Sequence, residues 1–324
     1  MPGPAPAGYR PGGRHLALIG PTASGKSALA LEVARRHDDI EIVTVDSMQV
    51  YRGMDIGTAK PTAAEQDEVR HHLLDLVDPD EEYTLSRFKD DAYGALADVE
   101  TRGGRALVVG GTGLYLQAVV DDLRIPGRYP EVRAELEQDP DTEALHRRLH
   151  QLDPVAAGRM EPTNRRRVVR ALEVTIGAGQ PFSSFGPGLE AYPPPPFPLV
   201  GLRLDRPLLD ARIEQRYRTQ MDAGFLAEVE ALLARPGGLS ATARQALGYA
   251  ELLDHLEHAT PLDDALATAV TRTRRFARRQ QRWFRRDPRI RWLDLGPQQA
   301  GAAWCVDPSD EEKAVAAISA MLRD

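Results

Sequence analysis

The sequence holds a single cysteine, Cys305. One thiol excludes an intramolecular disulfide and fits a reducing cytoplasm; it reads as a small, partly buried apolar residue. Long apolar runs are missing too: none approaches the roughly 20 residues that a membrane-spanning helix needs. The opening MPGPAPAGYRPGGR has no apolar stretch, so it does not read as a secretory signal. Its Pro and Gly content predicts a disordered leader over residues 1–13. His71 and His72 are adjacent, but no Cys or further His lies at ligand spacing, which argues against a zinc-type site. The rest is ordinary for a globular chain. Its 324 residues, 42% apolar and 27% charged, suffice for a full core and a second lobe.

Positive charge is in deficit overall, at −7, which by itself argues against a nucleic-acid partner. The distribution reverses that argument. Between Arg272 and Arg291 ten arginines stand against one aspartate, +9, leaving −16 for the remainder. A concentrated basic segment on an acidic body is an electrostatic footprint that the sum hides.

The chain is organised around Leu16 to Ser27. The apolar run Leu16-Ala17-Leu18-Ile19 reads as a buried strand, and ALALEVARRH from Ala28 to His37 as a helix with Leu29 and Val33 on one face. Between them Gly20-Pro21-Thr22-Ala23-Ser24-Gly25-Lys26-Ser27 fits G-x-x-x-x-G-K-[ST] in the strand–loop–helix context that a phosphate-binding loop requires. Backbone N–H groups and the helix N-terminus would face an anion, Lys26 would reach the outer phosphates, and Ser27 would hold Mg²⁺.

A second strand, Glu41 to Val45, ends at Asp46 and leads into the polar, Gly-punctuated run DSMQVYRGMDIGTAKP, residues 46–61. In an open α/β sheet this lies beyond a strand's carboxyl end, where ligands bind. Asp46 has three readings here: a Mg²⁺ carboxylate, a general base, or a cap of the following turn. A helix from Tyr83 to Arg102 precedes a third strand, Ala106 to Val109, which runs into Gly110-Gly111-Thr112-Gly113-Leu114-Tyr115. This strand does not end in Asp, so it is not a Walker B element, which weakens the case for an ATP-hydrolysing motor.

From Pro126 to Pro198 the βα alternation stops. Pro130–Leu149 and Thr163–Ile176 read as amphipathic helices, the second carrying Arg165, Arg166 and Arg167 on what is either a solvated face or a basic patch. Tyr192 to Pro198 reads as a stiff, polyproline-like connector. Leu199 to Leu204 returns to strand, and Leu208–Ala223 to helix. There Arg212 and Arg216, four apart, share a face that either clamps a phosphate or pairs with neighbouring acids. Thr271 to Arg286 is strongly helical. Phe276, Trp283 and Phe284 share one face, which we expect against the core with the arginines outward. Asp310–Leu322 closes the chain as a short helix. The fold expected is α/β: a P-loop NTPase-like core with a mostly parallel sheet, residues 14–125 plus 199–300, an inserted α-helical lobe at 126–198 and a helical tail at 301–324.

The phosphate loop, Asp46 to Pro61, Gly110 to Tyr115, Arg212-Ile213-Glu214-Gln215-Arg216, Gln245 to Tyr249, and Arg278-Arg279-Gln280 through Phe284-Arg285 occur in order from Leu16 to Asp294. Together they resemble the tRNA dimethylallyltransferase family, also called tRNA isopentenyltransferases. The phosphate loop is unspecific; the 46–61 run is highly specific, and no signature is missing. The resemblance implies transfer of a dimethylallyl group from dimethylallyl diphosphate, with Mg²⁺, to N6 of the adenosine 3′-adjacent to the anticodon in tRNAs reading U-starting codons. It implies that Asp46, Thr112 and Arg216 are catalytic, that Gly20 through Ser27 and Arg212 bind diphosphate, and that Ser27 meets the metal. It further implies tRNA contacts from Asp46, Ser47, Met48, Gln49, Arg133, Arg165, Arg166, Arg167, Arg244, Gln245, Gly248, Tyr249, Arg278, Arg279, Gln280, Arg282, Trp283 and Arg285, gripping an anticodon stem-loop. A cytoplasmic monomer without membrane association is expected. Without the resemblance, a small-molecule kinase or an RNA-binding NTPase switch stays open, and each should prefer ATP to dimethylallyl diphosphate.

Overall fold

The computed structural model describes residues 5–6, 8–12, 14–298 and 304–323. In chain order the elements begin with β1 (Leu16–Ile19), α1 (Lys26–Arg35), β2 (Ile40–Val45), α2 (Ala63–Glu68) and β3 (His71–His72). They continue with α3 (Leu85–Thr101), β4 (Arg105–Gly110), α4 (Gly113–Val120), α5 (Pro130–Gln138), α6 (Thr142–Leu152), α7 (Pro154–Ala157) and α8 (Arg165–Ala178). After β5 (Leu199–Leu204) come α9 (Arg206–Asp222), α10 (Phe225–Leu233), α11 (Ala241–Arg244), α12 (Tyr249–His258) and α13 (Leu262–Arg285), then β6 (Ile290–Leu295) and α14 (Pro308–Arg323).

The six strands form one parallel sheet in the order β3-β2-β4-β1-β5-β6. Every residue of β1 is buried, which is why it reads as an unbroken apolar run rather than an alternation. Leu16 and Leu18 join Leu29, Val33 and Ile318 on one face. Ala17 and Ile19 join Leu96 and Val99 on the other. All strands point the same way, so the loops after β1, β2 and β4 open at one edge. The chain leaves β1 toward β4 and β2 on one side and β5 on the other, a topological switch point where such sheets bind ligands.

The chain divides into two compact units, a core unit of residues 1–120 with 194–324 and an inserted unit of residues 121–193. The C-terminal helix is part of the core unit: α14 packs on α1, and Arg36 bridges to Glu312 at 2.8 Å. Of the segment expected as a disordered leader, residues 1–4, 7 and 13 lie outside the described residues. The Gly12 N–H donates to Glu100 Oε1 at 2.8 Å, and the Tyr9 ring meets Tyr93 edge-on at 6.0 Å. Both partners, Tyr93 and Glu100, lie on α3.

Within the inserted unit, the single helix expected over Pro130–Leu149 is two. Pro140 ends the first, and Asp141 caps the second by accepting from the Ala144 N–H at 2.9 Å. Leu136, Leu145, Leu149, Val168 and Leu172 form this unit's own core. Its buried Glu173 accepts from the Tyr129 N–H and from Arg170. The strand β6 is not foreshadowed in the sequence, because Ile290-Arg291-Trp292-Leu293-Asp294-Leu295 carries charge among its apolar residues and shows no unbroken apolar run. It is an edge strand whose outward positions tolerate charge. No helix among the described residues is long and apolar enough to cross a membrane.

Candidate active site

The phosphate loop is built by its own backbone. Gly25, at φ +89°, leads into α1, whose first turn holds Lys26 and Ser27. The Ser24 N–H returns to the Pro21 carbonyl at 3.2 Å, closing the loop. Lys26 extends to the Pro21 carbonyl at 3.3 Å. Burial lowers its pKa to about 8; the Arg216 charge adds to that and Asp46 opposes it. An ammonium held below its ordinary range by burial gains most when an anion enters.

Two arginines from α9 reach this loop, as their spacing on one helix face requires. Arg212 Nε donates to the Ala23 carbonyl at 2.7 Å, and its Nη1 to the Trp304 carbonyl at 3.1 Å. Arg216 Nη1 donates to Thr22 Oγ1 at 2.8 Å, and its Nη2 to the Gly57 carbonyl at 3.0 Å. Burial depresses the Arg212 pKa below the ordinary guanidinium value. The second glycine loop closes on the first. A Cβ on Gly111 would fall 2.6 Å from Gln280 Nε2 and 3.0 Å from the Gly20 carbonyl, so only glycine admits this approach. Gln280 staples the two loops, accepting from the Thr22 N–H at 2.9 Å and donating to the Gly111 carbonyl at 2.8 Å.

Asp46 leaves the end of β2 with Oδ1 accepting from the Met48 N–H at 2.9 Å. Among the described residues no other hydrogen-bond donor reaches its carboxylate. A cavity of about 960 Å³ is lined by Thr22, Lys26, Ser27, Arg212 and Arg216 on the phosphate side, by Asp46, Ser47, Met48 and Thr112, and by Arg272, Arg275, Phe276 and Arg279 of α13. It brings an anion cradle, a carboxylate and a basic helix face together, all from the core unit.

Several residues expected at tRNA have other work. Gln49 Nε2 donates to the Thr58 and Ala59 carbonyls, Tyr249 is fully buried with its hydroxyl on Glu228 at 2.6 Å, and Gln280 is the loop staple. Gly248 is buried before α12. Their polar groups are satisfied inside the protein, and Gln49, Tyr249 and Gln280 form part of the cavity wall. Trp283 lies against Gly113 at the start of α4 and carries Arg286 over its ring at 4.6 Å. Phe284 enters the core as expected, whereas Phe276 faces the cavity with Arg279 at 5.6 Å. Arg244 pairs with Glu257, and Gln245 is exposed at the cavity. Arg278 Nε donates back to the Arg274 carbonyl, while Arg282 and Arg285 are exposed on the last turns of α13.

In the inserted unit Arg165 donates to the Asp139 and Glu137 carbonyls, and Arg133 approaches Glu173. Arg166 and Arg167 are exposed. Arg272 and Arg275 are absent from the residues expected at the site. With Arg279 they follow i, i+3, i+7 spacing on one face, a spacing that other arginines of α13 share. His71 and His72 are structural: His71 bonds to the Val69 carbonyl and His72 to Glu41. Among the described residues no three His, Cys, Asp or Glu side chains group to hold a metal.

Fold and cavity define a protein with a P-loop NTPase-like core and an inserted helical lobe. The family model described as IPP transferase matches residues 49–287, and one described as isopentenyl transferase matches residues 14–78. The chain is 46% identical over 301 residues to a tRNA dimethylallyltransferase of Bifidobacterium longum subsp. infantis, covering 90% of each. It is 49% identical over 286 residues to the enzyme of the same name from Kineococcus radiotolerans, covering 86% of this chain and 90% of that one. Among solved structures, the tRNA isopentenylpyrophosphate transferase of Bacillus halodurans superposes with a TM-score of 0.66 at 33% identity, covering 95% of this chain and 96% of that one. A eukaryotic dimethylallyltransferase described as acting on tRNA gives 0.71 at 27% identity over 86% of this chain and 73% of that one. The chain belongs to the IPP transferase family, whose members are prenyltransferases.

Proposed function

We propose that this chain transfers a dimethylallyl group from dimethylallyl diphosphate to N6 of the adenosine 3′-adjacent to the anticodon in tRNAs reading U-starting codons, releasing diphosphate. The observation that carries this reading is the cavity shared by the phosphate loop, Asp46 and the arginine face of α13. A kinase needs the first of these and has no use for the last.

Two arginines, Lys26 and the loop N–H groups offer positive charge to a diphosphate, and more of it as the allylic C1–O bond breaks and its electron pair departs with the leaving group. Adenosine N6 forms the new bond to C1, and the Asp46 carboxylate accepts the proton that N6 loses. Thr22 and Thr112 would hold the diphosphate and the reacting base in register. The adenosine must leave its stack to enter the cavity, and unstacking costs a few kcal/mol. Arg275 and Arg279 at the rim, with Arg282 and Arg285 beyond, would hold the anticodon stem-loop backbone. Exposed Arg166 and Arg167 of the inserted unit, and Gln245, are further tRNA-binding groups on this reading.

The residues present fit Mg²⁺. The Ser27 hydroxyl at the start of α1, on the same cavity, offers one hard oxygen donor and no all-protein cage, which suits an ion that keeps waters and shares phosphate oxygens. When bound, the ion would neutralise charge developing on the diphosphate. A lone thiol and an acidic body that offsets the arginine helix suit a cytoplasmic monomer.

Calorimetric titration tests this reading. The protein should bind dimethylallyl diphosphate more tightly than ATP. Asp46→Ala should abolish transfer while diphosphate affinity stays within about threefold. Equal collapse of binding and transfer would make Asp46 a metal ligand and overturn its role as base; tighter binding of ATP would favour a kinase.

A further inference from the structure

Glu228 belongs to no motif of this sequence, yet it organises the backbone opposite the phosphate loop. It stands in the first turn of α10, and its carboxylate accepts from three successive backbone N–H groups: Asp55 at 2.9 Å, Ile56 at 2.7 Å and Gly57 at 3.2 Å. A fourth donor is the buried Tyr249 hydroxyl at 2.6 Å. Such a row of N–H groups is an anion-binding nest, here filled by the protein's own carboxylate. Carboxylate acceptors make charge-assisted bonds, about twice as strong as neutral ones.

The nest fixes Gly57. A Cβ there would lie 2.3 Å from Phe225 and 2.4 Å from Tyr249, so the backbone is pressed against an aromatic pair whose rings meet edge-on at 4.9 Å. The carbonyl of the same residue then accepts from Arg216 Nη2 at 3.0 Å and Gln220 Nε2 at 3.1 Å. Arg216 turns its other terminal nitrogen to Thr22 of the phosphate loop. A guanidinium has a rigid fork of donors, so anchoring one nitrogen aims the other.

We propose that Glu228 is a positioning residue for diphosphate: by clamping the 55–57 backbone it holds the Gly57 carbonyl that aims Arg216 at the phosphate loop. The proposal rests on the diphosphate-transfer reading of this cavity. Glu228 touches no substrate atom itself; its effect passes through Arg216.

The test is a double-mutant cycle of Glu228→Gln and Arg216→Ala, read first as affinity for inorganic pyrophosphate by calorimetry and then as transfer to an anticodon stem-loop RNA. Glu228→Gln preserves shape but turns an amide N–H₂ toward N–H donors. It should weaken pyrophosphate binding about tenfold and lower kcat/KM for dimethylallyl diphosphate by about ten- to a hundredfold, with affinity for the RNA unchanged. With Arg216 already removed, the same substitution should cost less than about twofold. Equal losses in both backgrounds, or wild-type pyrophosphate affinity in Glu228→Gln, would overturn the proposal. Should the Gln variant fail to fold, Glu228→Asp, which keeps the charge but withdraws it by one methylene, gives the same cycle. Pyrophosphate binding is read whether or not the wild-type chain transfers a prenyl group, so failure of the transfer reading is seen separately.

Discussion

Lys26 is where burial and function meet most directly. An isolated lysine loses its proton near pH ~10.4; here burial brings that to about 8. A bound diphosphate faces the ammonium and raises the value again. The charged form binds, so between the free and bound values ligand entry takes up one proton. The dissociation constant for dimethylallyl diphosphate should therefore be flat below pH 8 and worsen by about one log unit per pH unit above it. Calorimetry from about pH 7 to 10 checks this. Lys26→Arg, charged throughout, should remove the slope, and an equal slope in that variant would assign the titration elsewhere. Residue by residue, the phosphate loop, Asp46, Arg212 and Arg216 are legible in the sequence, because phosphate chemistry needs those side chains at those spacings. Glu228 is not. In FLAEVEALL a glutamate looks like a solvated helix position, and its importance comes from backbone N–H groups more than 170 residues away in the chain.

Among the elements, α13 does three jobs with one amphipathic sequence. Its inner face buries Ala277 and Phe284, Gln280 staples the glycine loops, and its outer face carries arginines past the cavity rim. Arg279→Ala together with Arg282→Ala should weaken anticodon stem-loop binding without touching pyrophosphate affinity. The dependence of log affinity on log salt should become shallower by about 0.7 for each single-strand phosphate that an arginine no longer neutralises. Unchanged salt dependence would show that the arginines face only solvent. Strands β1, β2, β4 and β5 are visible as apolar runs because both sheet faces are covered. The edge elements β3 and β6 are not: paired on one side, they need no such run. Helical periodicity continues across Pro140, so Pro130–Leu149 reads as a single helix although the residue that splits it is in plain view. The i, i+3, i+7 line of Arg272, Arg275 and Arg279 is equally present in the sequence; only the fold shows which arginine face borders a cavity.

Across the whole molecule, the sheet is tied to the N-terminal segment through His15, which is 1% exposed. Its Nδ1 accepts from the Ala106 N–H at 2.9 Å, so the ring proton is on Nε2, directed at Glu100 2.9 Å away. Burial holds the pKa below the ordinary value, with Glu100 partly opposing. The unfolded chain therefore binds more protons than the folded one once pH falls below about 6.5, and stability declines from there down through the lower folded value. Thermal melts from about pH 8 to 5 should show that decline, and His15→Asn, which retains an acceptor near Nδ1 but does not titrate, should make it shallower, the remainder belonging to His71, which burial also holds below its ordinary value. The central claim concerns the cavity where the phosphate loop, Asp46 and the α13 arginines converge, and one measurement tests it most directly: transfer of label from radiolabelled dimethylallyl diphosphate into an anticodon stem-loop with adenosine 3′ of the anticodon, against the same RNA carrying guanosine there. The account predicts Mg²⁺-dependent label in the adenosine RNA alone. Label in both RNAs, or none in either beside turnover of ATP, would contradict it.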